Sequence, residues 1–245
     1  MKDEELLRYS RQIMLPQVDI DGQQKLIDST VLIVGMGGLG SPSAFYLAAA
    51  GIGHLILADF DRVELSNLQR QIIHSTPDVG KDKVDSAKET LVALNPEINV
   101  TTIKELTEEN LATHVSQADV VLDGTDNFKS RFAINKTCVE AETPLVSAAV
   151  IRFEGQLSVF KGYEINQPCY QCLYSEEGDG AENCVENGIL APVAGVLGTM
   201  QALQAIKVLL SLGEQLCGEL MLVDALDLSF RRVGIAKDSQ CPICN

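Results

Sequence analysis

The 245-residue chain has no tryptophan, and its five tyrosines and seven phenylalanines bring aromatics to only 5%. Hydrophobic residues still make up 46%, so the core has to be filled by Val, Leu, Ile and Ala. That composition suits a parallel sheet covered by helices on both faces. Low-complexity tracts are missing, and the apolar content excludes a disordered chain. Basic residues are also few. Nineteen Lys and Arg stand against 34 Asp and Glu, a formal charge of −15. Such a surface repels nucleic-acid phosphates and anionic headgroups, which argues against nucleic acid and membrane as partners. Steering of a basic partner is another use of the same charge. The N-terminus, MKDEELLRYSRQ, lacks the apolar stretch of a signal peptide. The longest apolar run, 188–200, holds Pro192 and three glycines and is too short to span a bilayer. A cytoplasmic location is expected.

Strands and helices alternate along what is present. Residues 1–28 read as one or two polar helices, broken near Pro16 and Gly22. VLIVG (31–35) is a short β-branched run ending in glycine, as a buried parallel strand does. Strands are expected again at 54–59, 100–103, 119–123 and 144–150. Helices are expected over 41–50, 81–94, 108–115 and 127–142, the second halted by Asn95-Pro96. The pattern then changes. Residues 156–160 alternate polar with apolar, as an antiparallel strand would, and 161–190 read as loop. A long helix of small and aliphatic residues is expected over 194–212, then strands at 220–225 and 230–236. These features predict an α/β fold, a Rossmann-like doubly wound sheet that is mostly parallel with an antiparallel C-terminal extension. No repeat or linker divides the chain. A single domain is expected over 1–245, with N-terminal helices over 1–28, a nucleotide-binding half over 29–150 and a second half over 151–245.

Gly35-Met36-Gly37-Gly38-Leu39-Gly40 fits G-x-G-x-x-G between a strand and a helix, the context that gives the motif meaning. Gly35, Gly37, Gly38 and Gly40 allow a tight turn and a close approach of backbone to ligand. The helix N-terminus then offers free N–H groups to a phosphate. Asp59 ends the next strand about twenty positions later, where an acidic residue binds ribose hydroxyls. This much says nucleotide, and its default is an NAD-dependent oxidoreductase. The following segment adds cations. Asn67 and Arg70 stand in SNLQRQ, and Lys81 and Lys83 follow. A dinucleotide's pyrophosphate needs few cations beyond the helix N-terminus, whereas a triphosphate builds charge on its leaving pyrophosphate. Isolated Lys and Arg are usually surface residues in ordinary salt bridges; the ordered set carries more weight. Asp126, in GTDN (124–127), falls at a strand end where one carboxylate can hold Mg²⁺. Its alternative role is a helix N-cap, and Asp126 and Asn127 can divide the two. His54, His74 and His114 fall in no recognisable catalytic spacing.

RYSRQ (8–12), GMGGLG, the D-x-D…SNLQRQ segment, G-x-x-K (80–83), GTDN and two Cys-x-x-Cys pairs occur in this order. With them the chain resembles the ThiF/MoeB/HesA family, relatives of the ubiquitin-activating enzymes, over essentially its full length. The resemblance implies an ATP-dependent adenylyltransferase. Its substrate would be the C-terminal carboxylate of a small ubiquitin-like sulfur carrier ending in Gly-Gly, for molybdopterin or thiamine biosynthesis. It implies that Gly38 lies against the ATP phosphates and Asp59 holds the ribose. Asn67, Arg70 and Lys83 would contact phosphates, and Asp126 would serve Mg²⁺. Arg11 would reach the partner subunit's ATP in a homodimer. A relative that adenylates a tRNA base or a peptide carboxylate is the other member of this class to weigh, and a non-catalytic binding module is disfavoured by the filled site positions. No rhodanese-like sulfurtransferase extension is expected after Asn245, so the sulfur donor is expected to be a separate protein.

Seven cysteines, an odd number, argue against a disulfide framework. Cys169-x-x-Cys172 and Cys241-x-x-Cys244 offer four thiolates suited to tetrahedral Zn²⁺, in a closed structural site pinning the C-terminus. A redox Cys-x-x-Cys is the competing reading, though one redox pair needs no second. In the resembling family a cysteine in the region of Cys184 handles sulfur or forms covalent intermediates in some members, against a bystander role. Cys138 and Cys217 read as ordinary.

Overall fold

The computed structural model describes residues 1–175 and 188–245. Short helices α1 (Asp3–Arg8), α2 (Ser10–Ile13) and α3 (Asp19–Asp28) precede strand β1 (Thr30–Val34). The chain breaks around Pro16 as expected, but α3 runs straight through Gly22. A Cβ there would touch Val18 and Leu210, so the small residue lets α3 pack closely, and that contact outweighs poor helix propensity.

The rest of the parallel unit follows as α4 (Gly40–Ala50), β2 (His54–Ala58), α5 (Lys83–Leu94), β3 (Asn99–Ile103), α6 (Glu108–Ser116), β4 (Val120–Asp123), α7 (Phe128–Glu140) and β5 (Leu145–Ile151). Then come β6 (Glu154–Phe160), a short α8 (Tyr170–Leu173) inside the stretch expected to be loop, α9 (Ala191–Leu210), β7 (Glu219–Asp224) and β8 (Ser229–Gly234). The eight strands among the described residues form one sheet in the order β3-β2-β1-β4-β5-β6-β7-β8. The first five run parallel and the last three antiparallel. The sheet is therefore continuous across residue 150.

Successive side chains of a strand point to opposite faces, and the core divides accordingly. Val31 and Ile33 join Leu47 of α4, Leu91 of α5 and Leu197 of α9 on one face. Leu32 and Val34 join Leu111 and Val115 of α6 and Phe132 of α7 on the other. Both faces are covered, so the central strands place apolar residues on both sides, with polar Asp123 at the end of β4 and Ser147 beside it on β5. Helix α9 is longer than the apolar run 188–200. By length and composition it could cross a membrane, but 56% of its apolar window is buried here against the sheet, α3 and α4. It is the core helix of this fold.

Candidate functional site

The strand order reverses between β1 and β4, and open α/β sheets bind ligands in the crevice at that point. The glycine loop leaves β1 there. Gly35 takes φ +92°, a left-handed conformation, and a Cβ on it would press on the Gly124 carbonyl 2.8 Å away. A Cβ on Gly40 would run into the Gly35 carbonyl oxygen. These two glycines close the turn and pack it on β4. Gly37 and Gly38 face a cavity of about 510 Å³, which Gly35 also borders. Asp59, Arg70, Lys83 and Asp126 line the same cavity, as do Lys129 and Arg131.

Each of these side chains is held. Asp59 accepts the Met36 N–H at 2.7 Å and the Asp61 N–H at 2.8 Å, tying the end of β2 to the glycine loop. Burial pushes its carboxyl above the usual carboxylate range, while Lys83 and the two amides pull it back. Lys83 opens α5 and donates to Asp61 at 2.7 Å. Its side chain is only 5% exposed, whereas Lys81 is 43% exposed and pairs with Asp78 and Glu89. Of the two lysines in GKDK, only Lys83 serves the cavity. Arg70 donates to the Asn67 side-chain oxygen at 3.3 Å and lies beside Gly38, so Asn67 supports the cavity without lining it. Gln71 lines the cavity with a buried Oε1 that has no protein partner among the described residues.

GTDN is fixed from beneath. Asp123 is 1% exposed and accepts from the Thr125 N–H, the Thr125 hydroxyl and the Ser147 hydroxyl. Arg131 donates to the Thr125 carbonyl at 2.6 Å, and Gln201 of α9 donates to the Asp123 carbonyl at 2.7 Å. Asn127 caps α7 by accepting the Ser130 N–H. The cap therefore falls to Asn127, and the exposed Asp126 carboxylate stays available. Asp126, Asn127, Arg131 and Val150 also border a second cavity of about 510 Å³, floored by β5, β6 and β7 and reaching Ser229 and Arg231 of β8.

Arg11 is exposed on α2 and is not part of this lining, and Cys184 lies outside the described residues. Lys129, Arg131 and Gln201 were not singled out in the sequence, and His74 was given no role there. Lys129 and Arg131 lie in the first turn of the helix after GTDN, where helical periodicity turns residues back to the strand end. Gln201 and His74 have no such signal.

The four cysteines converge from both ends of the second half. All their Sγ atoms lie within 4.8 Å of one another, with Cys169–Cys241 at 3.6 Å and Cys172–Cys244 at 3.5 Å. Tetrahedral zinc with bonds of about 2.3 Å requires sulfurs about 3.8 Å apart, so the set fits that ion. Burial raises the Cys169 thiol to about 11. Burial also opposes ionisation of Cys241, yet the Ile243 and Cys244 amides aimed at its sulfur bring its pKa down. Backbone amides aimed at a sulfur favour a thiolate ligand. Four thiols around one centre are not the arrangement of a lone redox pair. Cys138 is buried among apolar groups, as an ordinary core thiol is.

The ThiF family matches residues 9–243 of this chain. The molybdopterin-synthase adenylyltransferase of Escherichia coli (strain K12) is 46% identical over 245 residues, all of this chain and 98% of the relative. The sulfur carrier protein ThiS adenylyltransferase of the same organism is 47% identical over 245 residues, all of this chain and 97% of the relative. Among solved structures, E. coli MccB with ATP superimposes with a TM-score of 0.82 at 27% identity, covering 97% of this chain and 74% of MccB.

Proposed function

The chain belongs to the ThiF family, and from that premise we propose that it adenylates the C-terminal glycine carboxylate of a small ubiquitin-like sulfur carrier. The observation that carries the reading is the gathering of Arg70, Lys83, Lys129 and Arg131 around the Gly37–Gly38 loop, in a cavity that shares a wall with a second one. The first holds ATP. Its apolar side, Val34, Ala58, Leu106, Leu111 and Ile134, takes the base, and Asp59 takes the ribose. Arg70 and Lys83 take the phosphates, with Asn67 orienting Arg70. The second cavity, along β5–β7, admits an extended peptide tail.

The reaction needs no general base, because a carboxylate is already a nucleophile at pH 7. A carboxylate oxygen bonds to the α-phosphorus, the bond from that phosphorus to the bridging oxygen breaks, and pyrophosphate leaves with the electron pair. The protein must bring two anions together and neutralise charge on the transferring group, which is the task of a site rich in Arg and Lys. Lys83 rests on Asp61 in this structure and would be shared with the phosphates. Asp126 would hold a Mg²⁺ that offsets phosphate charge. Zn²⁺ on Cys169, Cys172, Cys241 and Cys244 would pin the C-terminus to α8. Arg11 would act across a homodimer, Cys184 would handle sulfur delivered by a separate donor protein, and the enzyme would work in the cytoplasm.

ATP–pyrophosphate exchange with carriers ending in Gly-Gly tests the reading. Exchange should require the intact terminal glycine. Lys83→Ala should lower kcat/KM roughly 100-fold, the scale of losing one charge-stabilising donor. Mixing Arg11→Ala with Lys83→Ala protein should restore part of the lost activity. Exchange with no candidate carrier, together with hydride transfer to NAD, would return the site to an oxidoreductase. Comparing molybdopterin and thiamine carriers by kcat/KM assigns the pathway.

A further inference from the structure

His74 is one of three histidines and only 6% exposed. It does not line the cavity, yet its ring bridges two elements that build it. Nδ1 lies 2.9 Å from the hydroxyl of Ser86 on α5, and Nε2 lies 3.2 Å from the carbonyl oxygen of Met36 in the glycine loop. A carbonyl oxygen only accepts, so Nε2 must carry the proton. In the neutral ring Nδ1 then holds a lone pair and accepts from Ser86. Burial and the charge on Lys83 of α5 hold the ring's pKa below its ordinary 6.5, against the Met36 carbonyl and Asp78 of the preceding turn, which favour protonation.

The Met36–Gly37 peptide is planar and trans, so its N–H points away from its C=O. Drawing the carbonyl toward His74 therefore turns the Gly37 N–H to the side away from His74, and Gly37 lines the cavity whereas His74 does not. The preceding peptide is fixed as well, since the Met36 N–H donates to Asp59 at 2.7 Å. Ser41 adds a longer contact to the same Met36 carbonyl, at 3.5 Å. Met36 is thus clamped at both its amide and its carbonyl. Neither the Gly37 nor the Gly38 N–H donates to a backbone or side-chain acceptor among the described residues. Two amides held in place without a protein acceptor form a prepared anion site, and their alignment depends on the clamp.

We propose that His74 is a positioning residue: as the neutral Nε2–H tautomer it holds the Met36 carbonyl so that the glycine-loop amides face an ATP phosphate. This rests on the reading that a phosphate occupies the loop. If the carbonyl were released, the peptide could rotate and present an oxygen where a donor is needed.

The experiment pairs two measurements. Imidazole ¹⁵N NMR on the nucleotide-free protein reads the tautomer, with only three histidines to assign, and titration calorimetry with Mg-ATP reads the affinity. His74 should be the Nε2–H tautomer at pH 7. An Nδ1–H tautomer or an imidazolium there overturns the proposal without any variant. His74→Leu should weaken ATP binding roughly tenfold, the value of one aligned hydrogen bond. His74→Gln keeps a donor near the Nε2 position and should stay within about threefold of wild type. If His74→Leu fails to fold, Ser86→Ala replaces it. Removing the donor to Nδ1 should raise the Nδ1–H population and weaken ATP binding together. A changed tautomer with unchanged affinity, or equal affinities for His74→Leu and wild type, overturns the positioning role. Wild-type protein that binds no ATP instead sinks the adenylation reading.

Discussion

At the carboxyl ends of β1, β2 and β4 the chain assembles its cavity from the glycine loop, the strand ends, the turn before α5 and the first turn of α7. At the C-terminus it assembles four thiols from two short Cys-x-x-Cys segments. The cavity depends on backbone passing within contact distance of backbone, on partly buried charge and on amides left without protein acceptors. The cysteine cluster depends only on bringing two segments together. The cavity should therefore be intolerant of a single added methyl group in the wrong place. The cluster should be intolerant of losing its ion and indifferent to most of its surroundings.

The largest effect should separate two glycines three residues apart. Gly40→Ala drives a Cβ into the Gly35 carbonyl, a clash that no flexible side chain can relieve. It should cost roughly 4 kcal/mol or more of stability, read by urea denaturation. Gly37→Ala meets only the Gln71 amide, 3.6 Å away, and should leave stability within about 1 kcal/mol. Equal stability losses at both positions would show that the loop is held by something other than this packing.

Chelation comes next. Stripping the cysteine site should release close to one zinc per chain and lower the melting temperature by roughly 10 °C, from a loss of about 3–4 kcal/mol in a protein of this size. ATP affinity, measured on the same sample, should change little, because none of the four clustered cysteines lines the cavity. A parallel fall in both would merge the two regions into one cooperative unit. Less than about half an equivalent of zinc would remove the metal from the account altogether.

The smallest effect is a pH slope. Burial keeps the folded pKa of His74 below its ordinary 6.5. The unfolded chain therefore takes up the proton first as pH falls, and stability declines from about pH 6.5 downward, by at most about 1.4 kcal/mol per pH unit. Asp59 has the opposite sign. Its folded pKa is raised, so its cost is relieved on acidification toward the carboxylate range. His74→Gln should flatten the slope between pH 6.5 and 5 and leave the Asp59 contribution intact. An unchanged slope would mean that His74 titrates normally and is not buried as described.

The parallel strands were legible because each is a short apolar run bounded by turn residues, and the antiparallel extension because 156–160 alternates. The bend at Gly22 was misread because local propensity ignores the packing of α3 against α9. Gly37, Gly38, Asp59, Arg70 and Lys83 were legible because a strand, a glycine loop and a helix place their neighbours at known strand ends. Lys81 and Lys83 look equivalent in sequence, and only the fold shows one buried beside Asp61 and the other on the surface.

The sequence by itself determined the sheet, the motif order and the two cysteine pairs that make up the four-thiol cluster, because periodicity, glycine placement and Cys-x-x-Cys spacing are local properties of the chain. Only the tertiary structure decided that Gly40 braces while Gly38 faces the cavity. It also decided that Asn127 rather than Asp126 caps α7, and that a histidine without catalytic spacing clamps the loop. Those outcomes depend on which atoms from distant segments come within 3 Å of each other, and no single stretch of sequence contains both partners.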